Sequence, residues 1–172
     1  MIVGNGDIAK TLKDRDGWIF FASGVSNSHE TRESEFNREI SLLLNQDRSK
    51  HLVYFGSLAL FLPPHQYTNT RYIEHKRDME ELVKKTFPHH TIVRIGNITW
   101  GNNPHTILNG IRAKVEQKTP FETPDVYRYF IGKKEFQFWM DLIPEWNCEM
   151  NITGKRINLK QIIKQIQKKY GR

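Results

Sequence analysis

The sequence predicts an α/β fold in which helices cover a parallel β-sheet. Three observations support this prediction. Residues 1–3 are apolar and lead directly into a glycine turn. Residues 18–22 form a continuous apolar run, which is typical of a strand buried on both faces of a parallel sheet. Further apolar segments alternate with amphipathic ones at intervals that indicate βαβ units.

The spacing of the apolar residues predicts the individual elements. A first helix is predicted at residues 7–13, directly after the glycines. Phe36, Ile40 and Leu43 recur at helical spacing and predict a helix at residues 33–46. The remaining predicted strands are residues 51–57, 91–95 and 127–131, and the remaining predicted helices are residues 70–86, 109–115 and 158–170.

The length and composition indicate a globular protein. With 172 residues, 38% of them hydrophobic and 26% charged, the chain is long enough for one domain with a small appendage. We expect residues 1–105 to form the sheet region and residues 106–172 to form a small C-terminal cap packed on it, within one structural unit.

The sequence also predicts where the protein resides. No apolar run reaches the roughly 20 residues of a membrane span, and the turn after residues 1–3 leaves no room for a signal peptide. The single Cys148 excludes a disulfide framework and a multi-cysteine zinc site. No histidine forms a metal-binding spacing with a carboxylate, so we expect no metal site. These features predict a cytoplasmic protein.

The net charge of +7 raises the question of an anionic partner. Much of the excess lies near the C-terminus, at Lys155, Arg156, Lys160, Lys164, Lys168, Lys169 and Arg172. A solvated helix face is the simplest interpretation. A basic surface also suits a substrate with several phosphates, so the charge alone does not distinguish a nucleotide sugar from nucleic acid. We favour the nucleotide sugar and do not expect nucleic acid as the partner.

The glycine turn has the spacing Gly-x-Gly-x-x-Ala of a dinucleotide-binding turn. Gly4 permits a tight turn, Gly6 leaves the backbone open to a pyrophosphate, and Ala9 is small enough for a helix to pack on the strand. The N–H groups at the start of that helix would face the phosphates. The alternative is an ordinary glycine-rich turn. The expected cofactor contacts of this segment are Gly4, Asn5, Gly6, Asp7 and Ile8.

Tyr72 and Lys76 form a second candidate site. They stand four residues apart on a predicted helix and therefore project from one face. An ammonium group beside a phenol favours the phenolate, as a general acid/base at an alcohol or ketone requires. Ser57 ends the preceding strand, where its hydroxyl could bind the same substrate oxygen. The alternative for Tyr72 and Lys76 is a surface pair with no function.

The chain resembles the short-chain dehydrogenase/reductase superfamily. The resemblance lies in the glycine turn, the strand-end serine and the Tyr-x-x-x-Lys pair, which occur in this order. The resemblance is to its extended branch of nucleotide-sugar epimerases, dehydratases and reductases. It implies a Rossmann-type sheet, NAD or NADP as cofactor, and a nucleotide-sugar substrate. It also implies Tyr72 as the catalytic acid/base, Lys76 as ribose binder and modulator of the tyrosine pKa, and Ser57 as the third catalytic residue.

Other segments extend the resemblance over most of the chain. Residues 21–26 are similar to the strand end that lines the nicotinamide, residues 94–101 to a later strand and turn, and residues 127–131 to a strand that carries an arginine near the nucleotide phosphates. The alternatives are that Asn97 holds a turn and that Arg128 pairs with Asp125 or Glu122. The further cofactor contacts that the resemblance implies are Ala22, Ser23, Gly24, Ile95 and Asn97, and the substrate contacts are Ser26, Asn97 and Arg128.

The chain also departs from the family pattern. The family has two strands and a helix between its glycine turn and the strand that residues 18–22 resemble, so the sheet is a reduced one. Asp14, Arg15 and Asp16 are the only nearby candidates for the adenosine ribose. Two hypotheses follow: an enzyme of surface-polysaccharide synthesis, with dimerisation through the two helices beside the active strand, or a degenerate module that binds a dinucleotide or nucleotide sugar without turnover.

Overall fold

The structure, a computed structural model, describes residues 1–66 and 69–171 and contains two β-sheets. The strands β1 to β8 are Ile2–Val3, Trp18–Phe21, His51–Ser57, His90–Ile95, Asn97–Ile98, Tyr127–Ile131, Cys148–Ile152 and Lys155–Asn158. The helices α1 to α5 are Glu33–Leu44, Thr70–Thr86, Ile107–Glu116, Lys133–Asp141 and Leu159–Tyr170. The strands predicted at residues 18–22, 51–57, 91–95 and 127–131 are thereby confirmed to within a residue.

The main sheet is entirely parallel and has the strand order β1-β2-β3-β4-β7. Its register pairs Phe21 with Tyr54 and Ser57 with Ile95, so the strands end along a common edge. The smaller sheet has the order β5-β6-β8, with β5 and β6 parallel and β8 antiparallel. The predicted α/β fold with a reduced Rossmann-type parallel sheet is confirmed.

Apolar side chains cover both faces of the main sheet. On one face, α1 and α2 bury a cluster that includes Phe21, Leu43 and Val83. On the other, α4 packs Phe136 and Met140 against the strands. All four residues of β2 are buried, as the uninterrupted apolar run predicts. The parallel strands therefore lie between two helical layers, and ligands have access from the strand ends.

The segment 106–172 contributes to both sheets. Its strand β7 pairs with β4, and its helix α4 covers the main sheet. The rest of the segment forms a separate apolar cluster in which α3 and α5 pack on Phe130 of the smaller sheet. The division expected at residue 105 thus runs through one packed unit. In the described part of the chain, no helix is long and apolar enough to cross a membrane.

The prediction of a helix at residues 7–13 is wrong. The structure has only a three-residue 3-10 helix, Ala9–Thr11, and Leu12 is already extended. The Thr11 hydroxyl donates to the Ile8 carbonyl at 2.7 Å, which closes the turn locally. The following residues 13–17 are charged or glycine and offer no apolar side chain for a second turn to bury. The turn therefore lacks the helix dipole that the sequence predicts there.

The two glycines of the turn allow a matched test of stability. Gly4 has φ of +123°, and a Cβ there would lie 2.4 Å from the Ala22 carbonyl oxygen, whereas a Cβ at Gly6 would meet no atom within 4 Å. We expect Gly4→Ala to lower the free energy of unfolding by at least about 2 kcal/mol, and Gly6→Ala to change it by less than about 1 kcal/mol. Urea denaturation of both variants measures this, and equal effects would contradict the close packing of Gly4.

Candidate functional site

The glycine turn lies against the carboxyl end of β2. Because a Cβ at Gly4 would strike the Ala22 carbonyl, Gly4 lets the turn pack on the strand that follows in the sheet. Gly6 faces open space, as a phosphate site requires. Of the other predicted contacts in this segment, Asn5 is exposed and Ile8 packs against the core on the α4 face.

The carboxylate of Asp7 anchors a loop across the turn. It accepts the backbone N–H groups of Asn102 at 3.2 Å and Asn103 at 2.9 Å, and a Cβ on Gly101 would collide with it. The Trp100 indole donates to the Asp7 carbonyl at 3.2 Å. We call residues 99–103 the crossing loop. The prediction that Asp7 begins a phosphate-binding helix is wrong. The residue caps this loop, and no α-helix follows it.

The crossing loop also reaches the segment after β2. The Asn103 side-chain amide donates to the Ser26 hydroxyl at 3.1 Å. The Ser23 carbonyl and hydroxyl accept from Arg38 of α1, each at 3.3 Å. The predicted contacts Ser23 and Ser26 thus lie on one loop that α1 and the crossing loop hold from two sides.

Tyr72 and Lys76 lie on α2 and are both buried. Tyr72 packs with Val25 and Phe36, and with Ala59 of the segment that follows β3. Ser57 lies at the end of β3, where its hydroxyl accepts the Ala59 N–H at 3.1 Å. The three predicted catalytic residues are therefore arranged around the residues that follow β2 and β3, at the strand ends of the main sheet.

The ammonium of Lys76 is paired with Glu39, a residue that the sequence analysis did not single out. Nζ lies 3.2 and 3.3 Å from the two carboxylate oxygens and 3.3 Å from the Tyr54 hydroxyl. Glu39 is fully buried and also accepts from His75, from the Tyr54 hydroxyl and from the Val25 N–H. The sequence does contain a signal that Glu39 is buried. The residue lies three positions after Phe36 and four before Leu43, within the buried stripe of α1.

The charges of this cluster stabilise one another. Burial alone raises the pKa of Glu39, but the charge of Lys76 and the hydrogen bonds from His75 and the Val25 N–H outweigh it and hold that pKa below its ordinary value. Burial, followed by the nearby Glu39 charge, raises the pKa of Tyr54, which remains a phenol and donates to the carboxylate. The cluster therefore contains an ionised carboxylate at neutral pH.

The cluster lies directly below Gly24. A Cβ at Gly24 would stand 2.8 Å from Glu39 Oε1 and 2.9 Å from Lys76 Nζ. Gly24 follows Ala22 and Ser23, against which Gly4 packs. The structure thus brings the glycine turn, the loop after β2 and Lys76 together at one edge of the sheet.

The remaining predicted contacts have different surroundings. Ile95 belongs to the core on the α4 face. The Asn97 amide donates to the Tyr129 carbonyl at 3.0 Å and so joins the smaller sheet. Arg128 donates to Gln66 Oε1 at 2.7 Å, and it forms no ion pair with any residue that the structure describes. Burial lowers the pKa of Arg128.

The space beside the site is shallow. A surface depression of about 290 Å³ is lined by Gly24, Val25, Ser26, Asn27, Glu30, Arg32, Glu35, Arg38 and His105. Its lining includes the loop after β2 but neither Ser57 nor Tyr72. The loop is therefore accessible from this side, while the Tyr72 side chain is almost covered.

The buried ion pair predicts a strong effect of Lys76→Met on stability. The substitution leaves the Glu39 charge buried without its cation, and we expect it to lower the free energy of unfolding at neutral pH by about 3–5 kcal/mol. Because the folded pKa of Glu39 is depressed, its contribution is present above its unfolded pKa, near the ordinary 4.5, and is lost as the pH falls below that value. The penalty should therefore shrink in acid.

Denaturation of wild type and variant between neutral and acidic pH measures this effect. Lys85→Met, at an exposed position of the same helix, is the control. A penalty for Lys76→Met that equals that of the control, or that grows in acid, would contradict the proposed charge state of Glu39.

The comparisons with known proteins identify similar structures but no similar sequences. No protein-family model matches the chain, and no curated protein matches its sequence. UDP-glucose 4-epimerase of Thermotoga maritima, solved with UDP-glucose, is 13% identical and superposes with a TM-score of 0.70, over 91% of this chain and 62% of that one. The UDP-glucose 4-epimerase of Thermus thermophilus, solved with NAD, is 13% identical with a TM-score of 0.65, again over 91% and 62%.

A third similar structure has a different activity. A double mutant of dTDP-glucose 4,6-dehydratase from Streptomyces venezuelae, solved with NAD, is 9% identical with a TM-score of 0.68, over 90% of this chain and 57% of that one. The chain thus spans about three fifths of the length of the structures it matches. Over that part of their length it shares their α/β fold, and among its described residues the parallel sheet ends at β1.

Proposed function

We propose that the protein is an NAD(P)-dependent oxidoreductase or epimerase that acts on a nucleotide-linked sugar. The observation that carries the proposal is that Lys76 lies beside Gly24 and Tyr72 beside Val25, in the loop whose first residues pack against the glycine turn. This arrangement occurs in a fold whose matched structures include epimerases and a dehydratase of nucleotide sugars.

The chain offers a partial fit for a dinucleotide. Gly6 leaves open space above the backbone of the turn, and the loop from Ala22 to Gly24 borders it. These residues and Lys76 would hold the pyrophosphate and the nicotinamide ribose. At the adenosine end, β1 is the outer strand of the main sheet and pairs directly with β2. The strands that would face an adenosine in the longer family members have no counterpart among the described residues.

The residues of the chain supply the acid/base chemistry. Tyr72 would take or return the proton of a sugar hydroxyl, and a nicotinamide, when bound, would supply the hydride chemistry at the carbon. Lys76 Nζ lies 5.9 Å from the Tyr72 ring centre, so its positive charge stands beside the proposed acid/base. Because the Ser57 oxygen accepts the Ala59 N–H, its own proton is available to a substrate oxygen.

Arg128 would bind the diphosphate of the substrate. Its half-buried guanidinium pairs with no carboxylate in the described residues; Asp125, one of the alternative partners, accepts instead from Asn158 and Lys160. A desolvated arginine without a counter-charge favours an anionic ligand. A substrate of this class would fit an enzyme of surface-polysaccharide synthesis.

A non-catalytic binding module is the second candidate function. It is favoured by the Lys76 ammonium, which already contacts Glu39 and Tyr54, and by the shortened adenosine side. Calorimetric titration with NAD, NADP and their reduced forms separates the two candidates. Binding without any sugar-dependent change in nicotinamide absorbance would support the module.

The catalytic role predicts the effect of Tyr72→Phe. The substitution removes only the hydroxyl, so we expect turnover to fall by at least about 100-fold while the affinity for the dinucleotide stays within a few-fold. Nicotinamide absorbance measures turnover and calorimetry measures affinity, with Tyr170→Phe on α5 as the control. Undiminished turnover in the Tyr72 variant would exclude the assigned role.

The anion-binding role predicts the effect of Arg128→Gln. We expect the affinity for a UDP-sugar to fall by about ten- to a hundredfold, because a charge-assisted hydrogen bond to phosphate is lost. Affinity for the dinucleotide should change little. Arg112→Gln, on α3, removes an exposed arginine that pairs with Glu116 and serves as the control. Equal losses in both variants would indicate a general charge effect and not a site.

A further inference from the structure

Glu39 is the centre of the buried cluster, and its contacts come from three other parts of the site. Oε2 accepts from His75 Nε2 at 2.9 Å and from the Val25 N–H at 2.6 Å. Oε1 accepts from the Tyr54 hydroxyl at 2.8 Å. Lys76 Nζ bridges the two oxygens. One carboxylate therefore joins α1, α2, β3 and the loop after β2.

Packing alone does not account for this arrangement. An apolar residue in the stripe between Phe36 and Leu43 would avoid the desolvation of two charges. The carboxylate instead binds two groups that the proposed function requires: the ammonium of Lys76 and, through Val25, the loop that borders the dinucleotide. Gly24 has no side chain, and this allows the loop to lie directly on the ion pair.

We propose that Glu39 is a positioning residue of the candidate active site, which holds Lys76 charged and in place below Gly24 and fixes the loop of residues 23–25. The proposal rests on the proposed function and goes beyond it by assigning a role to a residue outside the catalytic set. Glu39 acts through Lys76 and makes no contact with substrate.

The role follows from the groups that surround Lys76. On α1 the facing group is Glu39, on α2 Tyr72 and on β3 Tyr54, and the loop after β2 approaches Nζ at Gly24. His75 bonds to Glu39, and the buried Glu80, whose charge reaches Tyr54, is paired with Arg94. Glu39 is the only carboxylate within salt-bridge distance of this ammonium among the described residues. Without it, the ammonium would be buried with no counter-charge, an arrangement that is strongly unfavourable.

Glu39→Gln is the variant that tests the charge without changing the shape. The new amide group presents a donor where the carboxylate accepts, so His75, Lys76 and the Val25 N–H can no longer all be satisfied. We expect Lys76 to lose its proton at least one pH unit lower than in the wild type, which is a tenfold change in its acid dissociation constant. NMR titration of the lysine side chains measures this, with the Lys76 signal assigned by its absence in Lys76→Met.

The control is Glu74→Gln, an exposed position on α2 close to Lys76 along the chain. It should leave the Lys76 titration unchanged. An unaltered Lys76 titration in Glu39→Gln would overturn the inference. If that variant fails to fold, Glu39→Asp replaces it: the shorter carboxylate draws away from Nζ, and we expect a shift in the same direction of at least a few-fold, with an unchanged titration again overturning the inference.

A second measurement connects the inference to activity. In Glu39→Gln, turnover at neutral pH should fall at least tenfold, because Lys76 and the loop of residues 23–25 lose the carboxylate that positions them. Glu39→Asp should recover part of it. A loss of turnover in Glu39→Asp as large as that in Glu39→Gln would indicate a merely structural role and overturn the inference. If the wild type binds no dinucleotide, the proposed function fails, and the NMR titration still decides the role of Glu39.

Discussion

The arrangement of the site depends on the ion pair between Glu39 and Lys76. Two charges are buried between α1, α2 and β3, and each is satisfied only by groups of the other elements. Such a pair contributes little net stability over an apolar pair, but it strongly penalises any arrangement that separates its members. It thereby fixes the position of α1 relative to α2, and with it the loop that lies on the cluster at Gly24 and Val25.

A second constraint is the close approach of glycines to backbone or side-chain atoms near the strand ends. Gly4 against Ala22, Gly24 against the ion pair and Gly101 against Asp7 are positions at which a side chain would collide. These contacts connect the glycine turn, the loop after β2 and the crossing loop. The parallel sheet brings the segments to one edge, and the glycines then allow them to lie closer together than side chains would permit.

The sequence predicts what depends on local periodicity. The buried strand at residues 18–22 and the amphipathic helix with Phe36 and Leu43 follow from their apolar patterns, and both are found. Tyr72 and Lys76 are both buried on α2, and their spacing of four residues places them on one face of that helix. The predictions that fail are those that depend on contacts between residues far apart in the sequence. Asp7 binds Asn102 and Asn103, over 90 residues away, so a turn whose pattern predicts the start of a helix caps a loop instead.

These features together determine how a dinucleotide would be held. The turn lacks the helix dipole expected at Asp7, and a pyrophosphate above Gly6 would approach the Asp7 carboxylate, whose charge the N–H groups of the crossing loop only partly offset. In the described part of the chain, the adenosine side has no strand beyond β1. Under the proposed function, the polar groups left to bind a nicotinamide ribose are Lys76 and the loop at Gly24. Both are held by Glu39, so in this shortened fold the buried carboxylate takes on a larger share of preorganising the site than the glycine turn does.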